Sequence, residues 1–376
     1  MRPAPDALAS QSMSRSASPR RRATLASLAA ELNVSRTTIS NAYNRPDQLS
    51  AELRQKVLEA AERLGYPGPD PVARSLRTRK AGAIGLFVSE SLNYSLRDPA
   101  ALDFVSGLAE ACEEAGQSLM LLAASPSRSV KEGSRALRSA GVDGFVIYSA
   151  SDDDPYLEVL AQRRLPMVVV DQPMDLPGAS RVGIDDRAAM RSMVEYVLGL
   201  GHRDIALLTM RLGRDRPAPD GGPAVAGPDR LRAPHFHVQR ERVAGAFDAV
   251  AAAGLDPSAL TVVESYDHLA SSGGAAAELA LRVRPNVTAL VCTADVLALS
   301  AMDYLRGRGI YVPGDMSVTG FDGVAEAVRR GLTTVRQPSL EKGRRAGQLL
   351  LKPPSGQPVV EVLETQLVRG RTTGQV

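Results

Sequence analysis

The chain has 376 residues, with 45 Lys+Arg against 42 Asp+Glu, 44% hydrophobic residues, no Trp and two cysteines. This length leaves room for more than one core. Cys112 and Cys292 stand far apart and in no metal spacing, which excludes a disulfide scaffold and fits a reduced, cytoplasmic protein. The net charge of +3 hides a division, because residues 1–80 hold 14 cations and 7 carboxylates and the remainder holds 31 and 35. A basic head on a mildly acidic body points to a nucleic-acid-binding part joined to a part with another task.

Residues 1–22 are rich in Ser, Pro, Ala and Arg and lack the apolar region of a signal peptide, so they predict a disordered basic tail. Arg15, Arg20, Arg21 and Arg22 either add phosphate contacts or are simply solvated. No apolar stretch approaches membrane-spanning length.

The segment 24–44, TLASLAAELNVSRTTISNAYN, has the spacing of a helix-turn-helix. Leu25, Leu28, Ala29 and Leu32 fall at i, i+3, i+4 and i+7 on one helical face, behind Thr24 as N-cap. Asn33 tolerates the left-handed turn, Val34 plugs the corner, and Ser35 caps a second helix that buries Ile39, Ala42 and Tyr43. The outer face of that helix, Arg36, Thr37, Ser40 and Asn41, is hydrogen-bonding and free of carboxylates, as base recognition in a major groove requires. A helical hairpin with a solvated polar face is the plainer alternative. A third helix follows over AELRQKVLEAAERLGY, capped by Ser50 and ended by Gly65, so 23–67 predicts a compact headpiece.

Residues 68–81 predict a hinge. Pro67, Pro69 and Pro71 make a stiff connector, and VARSLRTRK carries only Val72 and Leu76 as large apolar residues. A helix with so little to bury folds against a partner, here a polyanion, with Leu76 as a wedge in a minor groove flanked by Arg74 and Arg77. The alternative is a flexible basic linker.

From residue 82 onward, short aliphatic strands alternate with amphipathic helices. Strands are expected at 83–89, 118–124, 144–149, 166–171, 204–209, 260–265, 288–293 and 317–321, and helices include 102–116, 187–201, 240–254 and 294–309. Near-continuous apolar strands in this alternation mean α/β parallel sheets covered on both faces. Eight strands over nearly 300 residues suit two doubly wound lobes better than one.

With these pieces GVDGFVIYSA, VVVDQP, GLGHRDIALL, RERVAGAFDA, VPGDMSVTGFDG and TTVRQP, the chain resembles the LacI/GalR family of bacterial transcription regulators from about Ala23 to about Gly374. Two departures stand out: one extra residue between Tyr66 and Leu76, and an insertion at 211–237. The resemblance implies an all-α headpiece followed by a two-lobed periplasmic-binding-protein-like body whose chain crosses between lobes three times. On that pattern the first lobe takes about 82–173 and 304–334, and the second about 177–300 and 338–376. It further implies a homodimer on double-stranded operator DNA, with Thr24, Ser35, Arg36, Thr37, Thr38, Ser40, Asn41 and Asn44 facing the duplex. The C-terminal tail has no leucine heptads, which argues against a tetramer.

Ligands of open α/β sheets bind beyond the carboxyl ends of the strands. There the resemblance marks Arg242 and Asp322 as effector-binding residues, and less closely Ser89, Asp152, Tyr266 and Gln337. Charged pairs of this kind grip hydroxyls and polar ring atoms. Where the family often has Asn-Asp, this chain has Ala294-Asp295, which removes one amide. An Asp after a strand is often only a helix N-cap, and Asp186 and Asp295 suit that role. The insertion is Pro/Gly-rich, without periodicity, and placed to hang over the cleft mouth. His235 and His237 form an H-x-H pair without a sure third ligand, so they read as loop histidines and no metal or other cofactor is expected.

Three function classes follow: a regulator, a solute-binding protein sharing the body, and an enzyme. The basic headpiece argues against the second. No nucleophile motif, phosphate-cradling loop or metal spacing supports the third. The expectation is therefore a repressor controlled by a small metabolite, a sugar first.

Overall fold

The computed structural model describes residues 23–69, 75, 78–89, 95–124, 129–232, 235–267, 269 and 271–376. The chain divides into two compact units, Met1–Lys80 and Ala81–Val376. Arg74, Leu76 and Arg77 lie outside the described residues, as does the tail 1–22.

In the first unit, helices α1 (Leu25–Glu31), α2 (Arg36–Asn44) and α3 (Ala51–Leu64) close around Leu28, Ala29, Ile39, Ala42, Val57, Ala60 and Ala61. Thr24 and Ser27 form a reciprocal capping box at the start of α1. Asn33 takes φ 51°, the left-handed turn expected between the helices, and Gly65 ends α3 at φ 66°. Tyr43 is only half-buried and sits edge-on to Tyr66, ring centroids 6.1 Å apart.

The second unit holds two sheets. Strands β1 (Ala83–Val88), β2 (Ser118–Ala123), β3 (Phe145–Tyr148), β4 (Met167–Val170), β5 (Ser180–Ile184) and β12 (Val360–Leu363) make the first, in the order β12-β5-β4-β3-β1-β2 and parallel throughout. Strands β6 (Ile205–Thr209), β7 (Ala224–Val225), β8 (Leu260–Glu264), β9 (Ala289–Cys292), β10 (Ser317–Asp322), β11 (Thr333–Arg336) and β13 (Gln366–Val368) make the second, in the order β13-β11-β10-β9-β6-β8-β7. Only its edge strands β13 and β7 run antiparallel to their neighbours. Central strands are apolar on both faces because each face has its own core: Phe87 of β1 enters one cluster, while Ile84, Leu86 and Val88 enter the other.

The expected division of the lobes is corrected. Residues 304–334 do not return to the first lobe: β10 pairs with β9 and β11 in the second sheet, and helix Asp295–Gly307 packs on Ser272–Val283 in that lobe's core. Helix Ser339–Leu351 instead covers the first sheet beside helix Pro99–Glu114, and β12 joins that sheet. Small residues decide this placement. A Cβ on Gly343 would fall 2.0 Å from the Phe104 carbonyl oxygen, and one on Gly107 would fall 1.8 Å from that of Leu340. The chain therefore crosses between lobes after β5, after β11 and after β12. The 211–237 insertion is not structureless either, since β7 and helix Pro228–Arg232 lie within it.

Candidate functional site

The carboxyl ends of β3 and β4 in one lobe carry Ser149 and Asp171, and those of β9 and β10 in the other carry Thr293 and Asp322. Ser149, Asp171 and Asp322, each at or just after a strand end, take φ of 52°, 65° and 124°. Non-glycine residues persist there only when their surroundings enforce it, at a cost of ~1–3 kcal/mol each.

Arg242 and Asp322 organise the centre. Helix His237–Ala252 carries Arg242 inward, where Nε donates to Asp186 Oδ1 at 2.8 Å and Nη1 to the Thr293 carbonyl at 2.5 Å. The guanidinium lies over Phe321, 3.6 Å from the ring centroid, and 3.8 Å from Asp322 Oδ1. Asp322 accepts from Gln337 Nε2 at 2.6 Å and from the Asp295 backbone N–H at 3.3 Å. Gln337 Oε1 in turn accepts from Lys342 Nζ at 2.5 Å, and Lys342 donates to Asp171 Oδ1 at 2.6 Å. One chain of ion pairs and hydrogen bonds thus runs from Asp186 in the second lobe, through the neutral Gln337, to the half-buried Asp171 in the first. Burial raises the Asp322 and Asp186 carboxyls above the ordinary Asp range, against the opposing pull of Arg242.

The other expected effector residues make different contacts. Ser89 hydrogen-bonds Asp154, whose carboxyl burial pushes up. Asp152 is exposed and pairs with Arg240 at 3.2 Å. Tyr266 is taken up by the insertion: Arg211 and Arg216 stand 5.5 and 4.5 Å from its ring centroid, and its hydroxyl donates to the Arg214 carbonyl at 3.0 Å. The structure therefore joins Arg242, Asp322 and Gln337 in one contact chain, while Ser89, Asp152 and Tyr266 are engaged with Asp154, Arg240 and the insertion. His235 faces Asp153 and His237 contacts Arg240, and among the described residues no cluster of His, Cys, Asp and Glu is arranged to hold a metal.

Asp186 and Asp295 are corrected as N-caps. Asp185 is the cap, accepting from the Ala188 N–H, which frees Asp186 for Arg242. Asp295 braces the crossover region by accepting from the Val324 N–H at 2.8 Å and from the Thr334 hydroxyl at 2.6 Å. Lys342 was missed altogether. Its signal was a lone lysine in a stripe of small and apolar residues, Ser339, Gly343, Ala346, Gly347 and Leu350, at helical spacing.

In the headpiece, Ser35 caps α2 by accepting from the Thr38 N–H, and its hydroxyl lies 2.8 Å from that of Thr38. Asn41 donates to Gln48, and Asn44 donates to Ser40. These bonds order the polar face before any partner arrives, with Arg36 and Thr37 exposed at its N-terminal end. Thr24 is exposed and spent on its cap. Residues 23–69 carry five cations and five carboxylates, none of the carboxylates in α2, so the basic surplus of the first 80 residues lies in 1–22 and 70–80.

A helix-turn-helix headpiece joined to a two-lobed, periplasmic-binding-protein-like body defines a DNA-binding transcription regulator and not an enzyme. Residues 81–214 match the family described as periplasmic binding proteins and sugar binding domain of the LacI family, and residues 194–373 match the periplasmic binding protein-like domain. An HTH-type transcriptional regulator of Mycolicibacterium smegmatis is 73% identical, over 96% of this chain and 99% of its own length. Another, from Mycobacterium tuberculosis, is 68% identical over 96% and 99%. Among solved structures, a LacI family regulator from Corynebacterium glutamicum aligns with TM-score 0.71 at 38% identity, covering 93% of this chain and 98% of that one. The CelR–cellobiose complex aligns at 0.65 and 28%, over 93% and 100%. The Lac repressor dimer bound to operator and the anti-inducer ONPF aligns at 0.75 and 26%, over 94% and 100%. The chain belongs to the LacI/GalR family of transcription regulators.

Proposed function

We propose that the protein is a cytoplasmic repressor that binds a pseudo-palindromic operator as a homodimer and is controlled by a neutral, polyhydroxylated metabolite, a sugar first. The observation that carries the effector half is the 3.8 Å separation of Arg242 and Asp322. A donor fork on a helix and an acceptor pair at a strand end stand side by side, which suits paired hydrogen bonds to neighbouring hydroxyls. The CelR structure, with its bound cellobiose, supports the same ligand class.

On the DNA side, α2 presents Arg36, Thr37 and Asn41 to base edges in the major groove, with Thr38, Ser40 and Asn44 holding the backbone. Thr24 and Ser35 lie at the helix N-termini that approach phosphates. The hinge residues Arg74, Leu76 and Arg77 enter the central minor groove, where Leu76 kinks the duplex. Effector binding re-angles the lobes and biases that hinge between folded and melted states. The test is retention of genomic fragments at moderate salt against excess competitor DNA, with and without a panel of sugars. Selection of one fragment class and its release by one sugar is the expected result. Equal retention of all fragments under every condition overturns the reading.

A further inference from the structure

The insertion is built into the second lobe far more firmly than a surface loop requires. Arg230 makes two hydrogen bonds to the fully buried Glu264, at 2.8 and 2.7 Å, and a third to Asp215 at 2.6 Å. Glu264 also accepts from the Leu212 N–H at 2.8 Å, and β7 extends the sheet by pairing with β8. Arg216 reaches Asp267 at 3.3 Å, and Arg211 lies over Phe236 at 4.8 Å. A buried carboxylate bound by a two-toothed guanidinium and by backbone is a rigid anchor.

Its contacts with the first lobe have the opposite character. The Asp152 N–H donates to the His235 carbonyl at 3.0 Å, and Arg214 Nη1 donates to the Asp153 carbonyl at 3.2 Å. His235 Nδ1 stands 3.2 Å from the Asp153 carboxylate, both 47% exposed, and Arg240 stands 3.2 Å from that of Asp152, both 36% exposed. One better-protected bond accompanies them, from the Val238 N–H to Gln172 Oε1 at 2.9 Å. Exposed pairs of this kind are individually weak and screened by salt.

We propose that the described residues of the insertion, 211–232 and 235–237, strap the two lobes together, fixed to the second at Glu264 and fastened reversibly to the first at Asp152 and Asp153. A stiff arm with a weak clasp biases the lobes toward closure without locking them. The strap sets how readily the cleft opens, whichever ligand enters it. Its purpose rests on the effector reading of the cleft, but its geometry does not.

The test is single-molecule energy transfer in the full chain, labelled at Lys131→Cys in the first lobe and Arg282→Cys in the second. Both native cysteines are buried, so the labels go to the new sites. Excess unlabelled protein ensures that any assembly carries one labelled copy. The wild type is expected to show mainly one high-transfer population. The double variant Asp152→Ala/Asp153→Ala should raise the low-transfer fraction about ten-fold, as should Arg214→Ala/His235→Ala from the other side of the clasp. Raising NaCl to about 0.5 M should move the wild type the same way, because the clasp is exposed. Unchanged distributions in folded variants overturn the strap, and so does a wild type indifferent to salt if a variant fails to fold. No effector is needed for the measurement, so an error in the effector assignment leaves its outcome readable.

Discussion

Arg242 and Asp322 form an ion pair at 3.8 Å, each with less than a tenth of its side chain exposed, at a separation too long for a hydrogen bond. Arg242 is committed to Asp186 and the Thr293 carbonyl, Asp322 to Gln337 and the Asp295 N–H. The pair is held apart from both sides, which keeps its geometry fixed for a third party. Such preorganisation lowers the ordering cost of binding.

Replacing Asp322 with Asn keeps the shape and exchanges one acceptor oxygen for an amide donor. Effector affinity should fall about 100-fold, from loss of a buried acceptor, which costs ~1–3 kcal/mol. Operator binding without effector should remain. Anisotropy of a labelled operator, titrated with the sugar that releases the wild type, checks this. A variant released at the wild-type concentration would remove Asp322 from the site.

Lys342→Met leaves the Asp171 carboxylate without its ammonium, deep in the body. Breaking one side of a buried pair costs ~3–5 kcal/mol, and Lys342→Met/Asp171→Asn should recover most of that. Urea unfolding measures both. If the single variant stays within about 1 kcal/mol of wild type, the pair contributes little to stability.

Asp295 gives a pH signature. Burial pushes its carboxyl up to about 6, outweighing the hydrogen bonds from Thr334, Val324 and Gly323. The folded value exceeds the unfolded one of 3.8, so folding favours the protonated form. Its stabilising contribution is complete below about pH 4, is lost as pH rises through about 6, and is constant above, ~3 kcal/mol in all. Relative to Asp295→Asn, the wild type should therefore lose stability across this window. Parallel curves for the two proteins from pH 4 to about 7 would contradict the assignment.

Leu76→Ala should weaken operator binding about ten-fold or more while leaving the thermal shift by sugar intact. Undiminished operator affinity would remove Leu76 as a wedge.

The headpiece was legible because its determinants are local. Thr24, Asn33, Ser35 and Ser50 act on backbone within three residues, and the helical repeat of Leu28, Ile39 and Val57 names the core. The central strands were legible for the same reason, as short apolar runs. Strands β5 and β12 escaped notice because SRVGI and VEVL mix polar residues into segments near a sheet edge.

Sequence alone determined the modules, a helix-turn-helix and a body of parallel sheets, and its family resemblance marked Arg242 and Asp322 as residues to examine. Only the tertiary structure decided which lobe each late segment joins, since that depends on glycine contacts between helices more than 200 residues apart, Gly107 against Leu340 and Gly343 against Phe104. It also decided the fates of the acidic residues. Whether an Asp after a strand caps a helix, as Asp185 does, or meets a buried cation, as Asp186 and Asp171 do, depends on which distant side chain arrives within 3 Å.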